Sequence, residues 1–392
     1  MIQIDHVASA ARSLPHALRE EVAALPLHDR RALVPLRPIL SVLIALAIAT
    51  LLQLDEIVWA AFSAYMVIQG SLATTYRRGI MRISGTVLGA LLAFAVAPLV
   101  TPHAWSAIVT LFIFSAIGIQ LSIVSPHSYA WLFFGITAGM VLNDAMTRPD
   151  DVAHFIVTRI LEVVIGTAAS ILVSAILTRT RIPIGVRSIA PTEMLARLRH
   201  TDPLAIWRDA LTQKRLILEH SLRGALAVSL LPIVWHFFPF DDVGQVAVTA
   251  FVVMIVPATA VLQSDHVLIY GRMIQRIIGC LLGSLFAILG IVAVERWEIG
   301  VLTMVSIAIW LGFQIQNGTT GIAYLGTQFT LGAMTTLIQQ PGEPVTVEAG
   351  FERLIGIGVG SLLLLAVFLI WRLPESVPNR ASTTSAASGE SE

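Results

Sequence analysis

Residues 78–100 read RGIMRISGTVLGALLAFAVAPLV, in which Arg78 and Arg82 precede an apolar run that contains no charge. At about 1.5 Å per residue, a helix from Ile83 to Val100 extends roughly 27 Å, close to the roughly 30 Å of a bilayer's hydrocarbon core. A lone segment satisfies its own backbone in lipid only as a helix, and the run lacks the alternation of a barrel strand. It therefore predicts a transmembrane helix that begins at an arginine.

The rest of the chain continues this pattern of long apolar blocks. Further blocks lie at 38–53, 57–68, 104–119, 130–142, 160–177, 224–240, 245–262, 277–294, 299–313, 322–338 and 354–371. The 392 residues are 56% hydrophobic and only 13% charged, whereas about a quarter of a soluble domain is charged. The sequence therefore predicts an all-α polytopic membrane protein with twelve transmembrane helices, the weakest at 57–68 and 130–142.

The two halves of the chain share landmarks at one constant spacing. Residues 272–294 read RMIQRIIGCLLGSLFAILGIVAV, so a shift of 194 residues carries Arg82 onto Arg276. The same shift relates Gly85 to Gly279, Gly89 to Gly283, Gln120 to Gln314, Arg159 to Arg353, and Gly166 to Gly360. Because each half holds an even number of spans, the pattern predicts two parallel six-helix repeats.

A shorter pattern recurs within each half. An arginine opens the third and sixth spans of both halves and is followed seven residues later by a glycine: Arg82 to Gly89, Arg159 to Gly166, Arg276 to Gly283 and Arg353 to Gly360. The third and sixth spans run in opposite directions. Each half is therefore a candidate three-plus-three inverted repeat, an arrangement common in secondary transporters.

The distribution of basic residues predicts the orientation of the chain. With the N-terminus inside, 21 of the 25 Lys and Arg residues lie on the cytoplasmic side. We expect a multi-pass protein of the cell inner (plasma) membrane with both termini cytoplasmic. The predicted regions are a cytoplasmic surface helix at 1–36, a first six-span unit at 37–178, a cytoplasmic linker with an amphipathic helix at 179–222, a second unit at 223–372 and a disordered tail at 373–392.

The four span-opening arginines are the first candidates for a substrate site. Arg82 and Arg276 lie at predicted inner ends, where an arginine that extends to the membrane surface is an alternative explanation. Arg159 and Arg353 lie at outer ends, against the usual bias, and a guanidinium at a helix N-terminus suits a carboxylate. Ion pairs with Glu162 and with Glu352 are the structural alternative.

Other polar residues within or near the spans have two readings. Gln120 and Gln314 either line the substrate pathway or join helices by hydrogen bonds. Asp144 and Glu162 lie closest to the membrane among the acids and are candidates for proton coupling. Two acidic pairs in short outer turns are expected to be simply solvated: Asp55 with Glu56, and Asp241 with Asp242.

The paired glycines predict close helix packing, since a missing side chain lets two backbones approach. They are Gly85, Gly89, Gly279, Gly283, Gly166 and Gly360. No nucleophile, HExxH or Walker-type motif is present, so we expect no enzyme activity, no cofactor and no metal site. A net charge of zero gives no reason to expect a nucleic-acid partner.

The segments 78–92 and 272–285 resemble the signature of the fusaric acid resistance and aromatic acid exporter family. The resemblance implies proton-driven efflux of aromatic or other weak organic acids as small organic anions, often with a periplasmic adaptor protein. Plant aluminium-activated malate channels resemble the same six-span unit. An organic-anion channel and a non-transporting membrane scaffold are therefore alternatives. Further expected partners are the lipid bilayer and other copies of the chain in a homo-oligomer.

Overall fold

The computed structural model describes residues 14–26, 30–100, 102–178, 203–237, 243–262, 266–294, 297–339 and 348–371. Every regular element in these ranges is helical. A short 3₁₀ turn at Arg30–Leu33 precedes the second helix. The helices are α1 (residues 14–23), α2 (Leu36–Leu51), α3 (Ile57–Val67), α4 (Leu72–Val100), α5 (Ala104–Val124), α6 (Ser128–Thr147), α7 (Val152–Thr178), α8 (Pro203–Ser229), α9 (Leu231–Phe237), α10 (Val243–Met254), α11 (Ala258–Leu262), α12 (His266–Ala293), α13 (Glu298–Gln316), α14 (Ala323–Leu337) and α15 (Glu348–Ile370).

The chain is an all-helical, multi-pass membrane protein. Within the described ranges, eight helical stretches are long and apolar enough to cross a membrane. They are Arg31–Leu51, Leu72–Val100, Trp105–Val124, Val152–Thr178, Arg215–Phe237, Leu268–Ala293, Glu298–Gln316 and Gly350–Ile370. The other four predicted blocks also hold helices, but α3, α10, α11 and α14 are short, and α6 carries Asn143 and Asp144 within its last two turns.

Several predicted boundaries differ from the observed ones. The block at 224–240 is divided between α8 and α9, and Pro232 is the second residue of α9. The block at 245–262 is divided between α10 and α11, and Pro257 lies just before α11. Proline lacks an amide hydrogen and its ring clashes with the preceding turn, so a helix breaks there. Helix α4 begins at Leu72, earlier than predicted, so its basic residues belong to the helix itself.

The helix predicted within the linker begins at Pro203, and α8 runs from there without a break into the next apolar block. Residues 179–202 and the predicted tail at 373–392 lie outside the described residues. In the N-terminal region, residues 1–13 are likewise outside them. Leu14 of α1 is buried with Ile315, Ile322 and Leu325, whereas Val22 is exposed. Helix α1 therefore packs on the protein, around the α13–α14 turn.

Glycines allow the closest helix contacts in both halves. A Cβ atom built on Gly85 of α4 would overlap the carbonyl of Ala130 in α6, and one built on Gly89 would overlap the carbonyl of Phe134. In the other half, Gly279 and Gly283 of α12 meet the backbone of α14 in the same way, at the residues Leu325 and Phe329. A side chain at any of these positions would push two helices apart.

Replacing Gly283 by valine is expected to destabilise the protein by about 1–3 kcal/mol through overpacking. Gly271 is a matched control on the same helix, because a Cβ there would meet nothing within 4 Å. Valine has the same intrinsic helix propensity cost at both positions. The midpoint of thermal unfolding in detergent should therefore fall far more for Gly283→Val than for Gly271→Val. Equal shifts would show that the contact with α14 carries no weight.

Candidate functional site

A cavity of about 520 Å³ lies between the two halves of the chain. Its wall is formed by α3, α6 and α7 on one side and by α10, α14 and α15 on the other. Arg159 and Arg353, which are 194 positions apart in the chain, both line it. The cavity lies at the end of the bundle that holds Asp55, Glu56, Asp144 and Asp151, here termed the acidic end. The opposite end, which holds Arg77, Arg78 and Arg272, is termed the basic end.

Arg159 is held by an acid and by aromatic rings. Its Nη2 donates a hydrogen bond of 2.8 Å to Oε2 of Glu56. Its guanidinium lies 4.1 Å from the ring centre of Trp59 and 5.0 Å from that of Phe155. The arginine lies two turns into α7, and the residues that follow the α2–α3 turn fold over it. Contact with the rings favours the cation, and Nε and Nη1 form no hydrogen bond among the described residues.

Glu162 completes a group of charged side chains that we term the Glu56–Arg159–Glu162 triad, in which Arg159 and Glu162 are buried. Its Oε1 accepts a 3.0 Å hydrogen bond from the backbone amide of Glu56, and its Oε2 lies 3.7 Å from Nη1 of Arg159. Glu162 is only 1% exposed. The expectation that Glu56 is merely solvated is wrong, because it is the closer of the two acids to Arg159. Its partner lies 103 residues away in the chain, beyond the reach of a local pattern.

Arg353 bridges the two halves of the cavity. Its Nη1 donates a 3.4 Å hydrogen bond to Oε1 of Gln245 in α10. Its guanidinium lies 5.3 Å from the ring centre of Phe62 in α3. Glu352 lines the same cavity. Arginine, an amide and an aromatic ring therefore meet at the interface between the halves.

Asp144 is a buried acid of the cavity wall. Its Oδ1 accepts a 2.7 Å hydrogen bond from Nη2 of Arg148, the C-cap residue one turn later. The aspartate side chain is 5% exposed and the arginine 63%. Asp55, expected to be solvated, lies 2.6 Å from Nε2 of His154. Asp55, Glu56 and Asp144 therefore each have a basic neighbour.

Arg82 and Arg276 lie deeper, and the cavity wall as far as it is described includes neither. Nη2 of Arg82 donates to Oγ of Ser63 at 3.0 Å, and the guanidinium lies 3.7 Å from the ring centre of Phe133. Nε of Arg276 donates to Oγ1 of Thr249 at 3.1 Å. The two arginines are 2% and 1% exposed. The interpretation that they extend to the membrane surface is therefore wrong, because both turn inwards to polar partners.

Arg276 has a richer set of partners than Arg82. Its Nη1 donates to Oε1 of Gln328 at 2.7 Å and lies 3.4 Å from the hydroxyl of Tyr324. The positions equivalent to these at a shift of 194 are Phe134 and Ala130. At these two positions the second half has polar side chains where the first half has apolar ones.

The partners of the deep arginines correspond at a different spacing. Ser63 and Thr249 are related by a shift of 186 residues. A Cβ atom built on Gly166 would meet Ser63, and one built on Gly360 would meet Thr249 in the same way. The eight-residue difference from 194 arises between α10 and α12, where the second half contains α11. A search at a single constant shift therefore misses the equivalence of α3 and α10.

Gln120 and Gln314 lie away from the cavity. Oε1 of Gln120 accepts a 2.8 Å hydrogen bond from Oγ of Ser221 in α8. Nε2 of Gln314 donates a 3.1 Å hydrogen bond to the carbonyl of Arg31, just before α2. Each amide therefore joins the fourth apolar helix of one half to the chain that begins the other half.

Sequence reasoning missed the aromatic wall of the cavity. Trp59 and Phe62 lie three residues apart on α3, and Trp235 of α9 lines the cavity from the other half. The signal was available in part, since residues three apart on a helix share a face. That this face points towards Arg353 could not be known before α3 and α15 were placed together.

Comparisons with known proteins agree with the resemblance seen in the sequence. The model of the fusaric acid resistance protein family matches residues 31–233. A second model, described as fusaric acid resistance protein-like, matches residues 229–367. No curated protein and no solved structure gives a significant match. The first match alone spans more than half of the 392 residues, and the chain therefore belongs to the fusaric acid resistance protein family.

Proposed function

We propose that the protein is a secondary transporter that exports aromatic or other weak organic acids across the inner membrane. The observation that carries this proposal is the convergence of Arg159 and Arg353 in one cavity lined by aromatic rings. A guanidinium pairs with a carboxylate through two parallel, charge-assisted hydrogen bonds. The faces of Trp59 and Phe62 supply the apolar contact that an aromatic ring prefers. A monocarboxylate with a ring satisfies both.

The arrangement of the two halves supports this class of function. We propose two parallel six-span repeats, twelve spans in all, because matched contacts recur: Arg82 binds Ser63 and Arg276 binds Thr249. In each half, two helices that carry these arginines approach the same short helix, α3 or α10, from different directions. This is what an inverted repeat of three and three spans would produce. Secondary transporters commonly bind substrate at the interface between such repeats.

The acidic end is proposed to face the periplasm and both termini the cytoplasm. The support for this orientation is the excess of Lys and Arg in segments assigned to the other side. Glu162 and Asp144 are the proposed proton-coupling groups, because both are buried acids beside arginines of the cavity.

Flux measurements in proteoliposomes test this proposal against its rivals. We expect saturable flux of benzoate and hydroxybenzoates, faster than that of acetate or malate, and stimulated by a pH gradient. Single-channel currents in planar bilayers would instead favour an organic-anion channel. A folded preparation that moves no carboxylate under any gradient would favour a membrane scaffold.

A further inference from the structure

Two more arginines are buried in the bundle, and neither belongs to the cavity. Arg223 of α8 is 0% exposed and Arg37 of α2 is 2% exposed. Within the described part of the chain, none of the three side-chain nitrogens of either residue forms a hydrogen bond. A buried charged group without hydrogen bonds is costly, because it has lost water and gained nothing in return. Such a group is stabilised once an anion occupies its neighbourhood.

The surroundings of Arg223 resemble those of the cavity arginines. Its guanidinium lies 5.5 Å from the ring centre of Trp371 and 5.8 Å from that of Phe368. Arg159, Arg353 and Arg82 likewise lie beside aromatic rings. Glu219, one turn before Arg223 on α8, is engaged by Nε of Arg215 at 2.7 Å. The arginine therefore has rings around it and no hydrogen bond to its nearest acid.

An open apolar groove of about 490 Å³ shares Trp371 with the surroundings of Arg223. It is formed by α8 and the end of α15: Leu226, Leu230, Val367, Ile370 and Trp371. Leu226 follows Arg223 by three residues on the same helix, so both lie on one face. Trp371 belongs both to the groove and to the surroundings of the guanidinium. Charge and apolar surface therefore meet at this residue.

Measured along helix α15, Arg223 lies at a third depth. It is closer to the basic end than the cavity arginines and than Arg276. Arg353 lies at the cavity, and Gly360, about 10 Å further along the helix, packs on the Thr249 that binds Arg276. Phe368, about 12 Å further again, lies beside Arg223. The second half thus holds buried arginines at three successive depths, from the acidic end to the basic end. Arg37 relates to Arg223 by the shift of 186 that relates Ser63 to Thr249.

We propose that Arg223 is a carboxylate-binding site at the basic end, where the apolar ring of the substrate lies in the groove between α8 and α15. The site is the part of the anion pathway nearest to the basic end, and the inference therefore rests on the proposed transport function. The cavity is open at the acidic end in this structure, while Arg223 is fully enclosed. An anion reaches Arg223 only when α8 and α15 separate. Alternating access requires such an opening at the basic end, opposite to the open cavity.

Trp371 gives this site its own optical readout. The difference in emission between the native protein and Trp371→Phe is the contribution of Trp371. We expect 4-nitrobenzoate, a carboxylate whose nitroaromatic ring quenches indole fluorescence, to reduce this difference. Arg223→Gln should raise the half-quenching concentration at least 10-fold. Arg77→Gln, the same change at an exposed arginine of the basic end, should leave it unaltered. An unshifted Arg223→Gln would overturn the proposal.

Two further measurements separate the remaining outcomes. Benzoate flux in the same preparations tests the transport function by itself, so flux without Trp371 quenching would overturn only the Arg223 site. Vesicles of phosphatidylcholine with and without phosphatidylglycerol test a lipid phosphate as the occupant. A response of Trp371 to phosphatidylglycerol alone, dependent on Arg223, would also overturn the proposal. If Arg223→Gln does not fold, Arg223→Lys must still weaken quenching, because lysine cannot pair with a carboxylate through two parallel bonds.

Discussion

Replacing Arg353 by glutamine should raise the KM for benzoate export by about 10–150-fold. The change removes a charge-assisted contact worth about 1.5–3 kcal/mol while keeping a polar side chain that can still meet Gln245. The position suits the test, since Arg353 lies between Phe62 of one half and Gln245 of the other. Concentration-dependent flux in proteoliposomes measures the effect directly.

A control distinguishes a specific contact from a general loss of positive charge. Arg77 lies on the exposed surface at the basic end, where its Nη2 donates to the carbonyl of Pro126. Arg77→Gln removes the same charge as Arg353→Gln, and solvent screens its effect on the cavity. Its KM should therefore stay within about twofold of the native value by that screening argument. A normal KM in a well-folded Arg353→Gln protein would remove Arg353 from the binding site.

Replacing Arg159 by glutamine is expected to cost about 3–5 kcal/mol of folding stability, the usual penalty when one partner of a buried ion pair is removed. The reason is the burial of Glu162, which is 1% exposed and would lose its only basic neighbour within the triad. Glu162→Gln leaves Arg159 with Glu56 at 2.8 Å and should cost less. Thermal unfolding in detergent compares the two variants.

The double variant Arg159→Gln with Glu162→Gln should be more stable than Arg159→Gln alone, because no uncompensated charge then remains buried. Additive losses would show that the two side chains do not interact. Since the double variant is expected to fold, its benzoate KM also reports whether the charge of Arg159 binds substrate. A KM unchanged from the native value would restrict anion binding to Arg353.

The triad also explains why Arg159 and Arg353 cannot be treated as equivalent. A shift of 194 carries Arg159 onto Arg353, but it carries Glu162 onto Gly356. At the shift of 186 that relates α3 to α10, Trp59 corresponds to Gln245. One arginine is therefore surrounded by acids and an indole ring, and the other by an amide and a ring from the opposite half. The two arginines therefore share a place in the sequence pattern but differ in the groups that surround them.

The sequence by itself determined the class of fold and the identity of several buried arginines. Runs such as 83–100 are apolar over the thickness of a bilayer, and that property belongs to each segment regardless of its neighbours. The glycines at 85, 89, 279 and 283 were identified for the same reason, since the absence of a side chain is visible in one dimension. The regular spacing of Arg82, Arg159, Arg276 and Arg353 was equally visible.

Only the tertiary structure decided what these residues contact. Glu56 reaches Arg159 across 103 residues, and Phe62 reaches Arg353 from the other half of the chain. Nothing local encodes such pairs, because they depend on which helices pack together and at what depth. The breaks at Pro232 and Pro257 and the extra residues before α12 also shift the register between the halves. In the sequence, nothing distinguishes Arg223 from the other basic residues. In the structure, α15 places two aromatic rings beside it, and the side chain is buried away from water.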